Sequence, residues 1–128
     1  FEGLTQRGGA PGLLIDAWLS GILEVFTSNA LIYEYEDVLT RKLSPTRWVE
    51  LQPVLGKLLT RSQFVVIHYS WRPMAPDPGD EHVIDCAMNA GAAVVTSNIR
   101  DYRLAQQTIG LVVLTPVQAL HELANSKK

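Results

Sequence analysis

The sequence predicts an α/β protein, a three-layer, doubly wound parallel sheet flanked by helices. Three observations lead there. Short apolar runs (LEVFT, FVVIH, AAVVT and GLVVL) are separated by longer stretches in which apolar residues recur every three or four positions. The runs are apolar throughout rather than alternating, as strands covered on both faces must be. Glycine, proline and serine fall at the junctions, where helices start and stop.

The elements follow in order. Pro11 to Ser20 reads as a helix, with Pro in its first turn, apolar residues at 14, 15, 18 and 22, and Gly21 at its end. Leu23 to Thr27 is a short strand. Ser28 caps a second helix that runs to about Arg41, on the stripe Leu31, Tyr35, Val38 and Leu39. Ser44-Pro45 opens a third, carrying Trp48, Leu51, Leu55, Leu58 and Leu59, with Pro53 as a source of an early kink. Phe64 to His68 is a strand, followed by the proline-rich loop YSWRPMAPDPG. Asp80 to Ala90 is a helix closed by Gly91. Ala92 to Thr96 and Gly110 to Leu114 are strands with a helix between them, and Thr115-Pro116 caps a last helix through about Ala124. The order is α-β-α-α-β-α-β-α-β-α.

Composition bounds the function. The chain has 128 residues, of which 47% are hydrophobic and 19% charged, so a single domain over 1–128 with a substantial core is expected. A net charge of -2 gives no bulk electrostatic grip on nucleic acid. One cysteine, Cys86, excludes an internal disulfide framework, and with His68, His82 and His121 scattered there is no zinc-type spacing. No apolar stretch approaches the ~20 residues of a membrane span, and the opening FEGLTQRGGA has no signal-peptide character. A cytoplasmic location is expected.

In open parallel sheets, ligands collect beyond the carboxyl ends of the strands. Oxygen-bearing side chains follow each strand here. Glu34 stands at the edge of an apolar stripe, where a carboxylate needs a cation or partial exposure. Asp80 lies in the first turn of its helix on the side of Val83, Ile84, Ala87 and Met88, and is equally readable as the helix cap. Asp85 points away from that side, Asp77 and Glu81 read as loop and first-turn charge, and His82 as a surface residue. Thr96 is followed at short range by Asn98 and Asp101. Arg41, Lys42, Arg47, Lys57 and Arg61 read either as phosphate contacts or as scattered solvated charge. Trp48 reads as core or dimer contact, and the Trp71–Met74 stretch as a lid or a partner surface.

Taken together, TSNALIYEYEDVL, DPGDEHVIDCAMNAGAAVVT, TSNIRDY and the upstream RGGAPGLLIDAWLSG resemble the PIN-domain family, in particular its VapC-like toxin components of bacterial toxin–antitoxin systems. The resemblance covers nearly the whole chain. It implies a metal-dependent endoribonuclease that hydrolyses RNA phosphodiester bonds with Mg²⁺ or Mn²⁺. Glu34 matches the family's acid in E-Y-x-x-V-L, Asp80 the acid that opens the helix before A-x-x-x-G, and Asn98 and Asp101 the closing T-x-N-x-x-D-[FY]. Glu34, Asp80 and Asp101 are therefore the implied metal ligands, Asn98 orients phosphate or water, and Asp77 and Thr96 are auxiliary. A cognate antitoxin and a homodimer are the implied partners, with no membrane. The family also has a central first strand ending in Asp, which no stretch of this sequence supplies, so the domain reads as N-terminally truncated and Phe1–Leu4 is too short to replace that strand. Without that acid, hydrolysis by these 128 residues is expected to be weakened or lost. The alternative reading is a catalytically inactive PIN-like protein-binding module.

Overall fold

The computed structural model describes residues 9–125. They fall into two compact units, residues 1–64 and 65–128.

The first unit is built on three helices and a pair of short strands. Helix α1 (Ala10–Leu19) carries Pro in its first turn and is followed by strand β1 (Val25–Thr27). Helix α2 (Asn29–Lys42) is capped by Ser28, whose hydroxyl accepts from the Leu31 N–H. Helix α3 (Pro45–Thr60) is capped in the same way by Ser44, with Pro45 at its start, and runs on through Pro53. Leu39, Leu51, Leu55 and Leu58 form the buried core, with Ile15, Trp18, Leu43 and Trp48 packed against it. Trp48 thus packs, partly buried, against the core of its own unit. Complete burial of Leu58 alone contributes about 2 kcal/mol.

Strand β2 (Ser62–Phe64) pairs in parallel with β1, Val25 opposite Ser62 and Thr27 opposite Phe64. This corrects the expected strand over Phe64–His68. The pairing stops at Phe64 because its partner stops at Thr27, where α2 is about to begin. Phe64 and Val66 are left 63% and 71% exposed, so this run is not the doubly covered strand that its composition suggests.

The second unit holds α4 (Pro78–Ala90), β3 (Val94–Val95), a 3-10 turn (Ile99–Tyr102), α5 (Arg103–Ile109), β4 (Val113–Leu114) and α6 (Pro116–Asn125). Gly91 ends α4 at φ +67°, a left-handed conformation that an L side chain would strain. β3 and β4 are parallel, Val94 opposite Val113. Ile84, Ala87, Val94, Tyr102, Ala105, Leu111 and Val113 make the core. The α/β character and the parallel pairing agree with expectation. The strands are shorter than their apolar runs and form two two-stranded sheets among the described residues. No helix among those residues is long and apolar enough to cross a membrane.

Candidate metal centre and the two sides of helix α4

Helix α4 starts earlier than expected, and the shift changes the meaning of Asp80. Pro78 occupies the first turn, where its missing N–H is no loss. Asp77 is the N-cap, its Oδ1 accepting from the Gly79 N–H at 2.8 Å. The cap reading of Asp80 is therefore corrected: the end of the helix is closed by Asp77, and Asp80 stands within the first turn. Proline immediately after an aspartate was the sequence signal for this arrangement.

Asp80 is half-buried, and its Oδ1 accepts a hydrogen bond from the Tyr102 hydroxyl at 3.0 Å. Tyr102 closes the 3-10 turn that also carries Asp101, itself half-buried. One hydrogen bond thus ties the segment bearing Asp101 to the first turn bearing Asp80. The same segment is shaped by two local bonds. Thr96 Oγ1 accepts from the Asn98 N–H at 3.0 Å, and the Asn98 carbonyl accepts from the Asp101 N–H at 3.1 Å. The hydroxyl of Thr96 is a turn-former. The exposed Asn98 side chain does not cap the turn that follows it.

Glu34 lies in the first unit, half-buried on α2 next to the buried Leu31, and makes no hydrogen bond or ion pair to a described residue. Glu36 and Asp37 face solvent. The acids singled out from sequence are therefore divided, with Glu34 in residues 1–64 and Asp77, Asp80 and Asp101 in residues 65–128. Among the described residues no three His, Cys, Asp or Glu side chains are grouped to hold an ion. In donor chemistry the set does fit a hard divalent cation, since Glu34, Asp80 and Asp101 all offer carboxylate oxygen and all keep partial access to solvent.

The other side of α4 is covered, and Glu81, read from sequence as first-turn charge, is buried there. Asp85 does not point to solvent; it is 4% exposed, and its Oδ2 accepts from Arg72 Nη2 at 2.9 Å, Arg72 Nε at 3.3 Å and Ser70 Oγ at 3.3 Å. Glu81 is 6% exposed, and its Oε1 accepts from the N–H groups of Met74 at 2.7 Å and Ala75 at 2.9 Å. Asn89 completes the row. Its Oδ1 accepts from the N–H groups of His68 and Tyr69, and its amide donates to the Tyr69 carbonyl. The stretch from His68 to Ala75 is thereby strapped along the helix, antiparallel to it. The backbone groups that FVVIH would have offered to a sheet neighbour are in part taken by Asn89. His82 Nδ1 meets Arg72 Nη2 at 3.0 Å, so His82 belongs to this strap. Cys86 is buried within the same helix, which pushes its thiol pKa up.

Two of the basic side chains considered as phosphate contacts are engaged locally. Arg41 pairs with Asp37 at 2.9 Å and Arg47 with Glu50 at 3.1 Å, all on exposed helix surface. Tyr102 is the residue that sequence reasoning missed as part of the site. The aromatic position after Asp101 was visible, but only the fold directs its hydroxyl at Asp80.

A family model described as PIN domain matches residues 1–100 of the 128. No curated protein and no solved structure matches the chain.

Proposed function

Because the chain belongs to the PIN-domain family, whose members are generally nucleases and typically depend on a divalent metal, we propose that it serves as a metal-dependent endoribonuclease, the toxin component of a toxin–antitoxin pair. The observation that carries this reading is the placement of Asp80. The side-chain cap of α4 is Asp77, and Tyr102 links Asp80 to the turn bearing Asp101.

Asp80 and Asp101 would offer carboxylate oxygen to Mg²⁺ or Mn²⁺, with Asp77 as an auxiliary acid; Glu34, on α2, is the further ligand that the family resemblance implies. A divalent ion at such a site supplies charge neutralisation for the phosphodiester and a more acidic bound water. The Asn98 amide would orient the phosphate, and Thr96 holds the turn that presents Asn98 and Asp101. RNA is the proposed substrate, and a cognate antitoxin and a second copy of the chain are the proposed partners.

A second reading, a PIN-like protein-binding module without hydrolysis, is favoured by the exposed apolar side chains of Phe64, Val66 and Tyr69. RNA cleavage separates the two. With Mg²⁺ present, single-stranded RNA should be cut by the protein and spared after addition of EDTA or in Asp80→Asn and Glu34→Ala variants. Cleavage that persists unchanged in those variants would overturn the site assignment, and absence of any cleavage would favour the binding module.

A further inference from the structure

We propose that Tyr102 is the positioning residue of the metal centre, setting the orientation of the Asp80 carboxylate through its hydroxyl. The inference rests on the metal-site reading above and goes beyond it by assigning a residue that touches neither metal nor RNA.

Three observations carry it. The Tyr102 ring is 5% exposed and packs in the core formed by Ile84, Ala87, Val94, Ala105, Leu111 and Val113, so its direction is set by packing rather than by the polar contact. From that fixed ring the hydroxyl reaches Asp80 Oδ1 at 3.0 Å. Asp80 is half-buried in a first helical turn whose cap is Asp77. A buried phenol donating to one carboxylate oxygen favours the rotamers that keep that bond. Hydrogen-bond donors to a ligating carboxylate commonly decide metal affinity by ordering the ligand before the ion arrives.

Phenylalanine keeps the ring and removes the donor, so Tyr102→Phe separates packing from positioning. The measurement is the melting temperature as a function of Mn²⁺ concentration for the wild type, Tyr102→Phe, Asp80→Asn and the double variant. In the wild type Mn²⁺ should raise the melting temperature by mass action. In Tyr102→Phe the midpoint of that rise should move to about 10-fold higher Mn²⁺, while the melting temperature in EDTA changes little. Asp80→Asn should lose the response, and adding Tyr102→Phe to it should change nothing more. An unchanged Mn²⁺ midpoint in Tyr102→Phe, even with a lower melting temperature in EDTA, would reduce Tyr102 to a structural role and overturn the inference while leaving the metal site standing. If the wild type shows no Mn²⁺ response, the metal site and the inference fall together.

Discussion

Helix α4 carries acids of two kinds, and the contrast between them teaches more than either alone. On the strap side, Glu81 and Asp85 are almost wholly buried and are met by five donors: two backbone N–H groups on Glu81, and the Ser70 hydroxyl and two Arg72 nitrogens on Asp85. In the first turn, Asp80 keeps partial access to solvent and is held by the Tyr102 hydroxyl. Burying a carboxylate is costly, and the donors on one oxygen of each acid offset part of that cost while Glu81 Oε2 and Asp85 Oδ1 stay buried without a partner, so the two acids are intelligible as clamps whose partners are part of the fold. Asp80 is suited to exchange water for an ion. Charge of the same sign, within two turns of one helix, is thus closed off at Glu81 and Asp85 and left in partial contact with solvent at Asp80.

Substitutions sharpen this contrast. The largest loss of stability is expected for Asp85→Ala, which strands Ser70 and Arg72. Removing one partner of a buried pair costs about 3 kcal/mol, and because the Arg72 side chain is 45% exposed and can rehydrate, about 2 to 3 kcal/mol by urea denaturation is the expected value. Glu81→Ala follows at about 2 kcal/mol, since the Met74 and Ala75 N–H groups lose their acceptor. Asn89→Ala should cost about 1 kcal/mol and speed proteolytic nicking between His68 and Ser70, because the N-terminal end of the strap loses its anchor near the C-terminus of the helix. Asp80→Asn is the smallest in stability, about 0.5 kcal/mol, as the amide oxygen still accepts from Tyr102 and the favourable charge at the helix N-terminus is lost. A large destabilisation by Asp80→Asn, or a negligible one by Asp85→Ala, would erase the distinction between the two sides.

The features legible in the sequence were those fixed by a few neighbouring residues. Ser28 and Ser44 as caps, Pro45 and Gly91 as boundaries and the leucine stripe of α3 all appear where local chemistry puts them. The strand FVVIH did not, because where it stops depends on how far β1 extends and on Asn89, twenty-one residues from His68. The burial of Glu81 and Asp85 was not legible for a related reason. Helical periodicity tells which side of α4 faces the sheet, but not that a loop will cover the opposite side. For the candidate site, residue types and spacing were enough to single out Glu34, Asp80, Asn98 and Asp101. The tie between Asp80 and Tyr102 could not be read in this way, because it joins positions twenty-two apart through the packing of one ring.

The most direct measurement is Mn²⁺ binding followed by electron paramagnetic resonance of the free ion, with the wild type, Asp85→Asn and Asp80→Asn side by side. The account predicts that the wild type and Asp85→Asn take up the ion with the same affinity, whatever the second variant loses in stability, and that Asp80→Asn leaves the ion in solution. Uptake by Asp80→Asn equal to that of the wild type would contradict it.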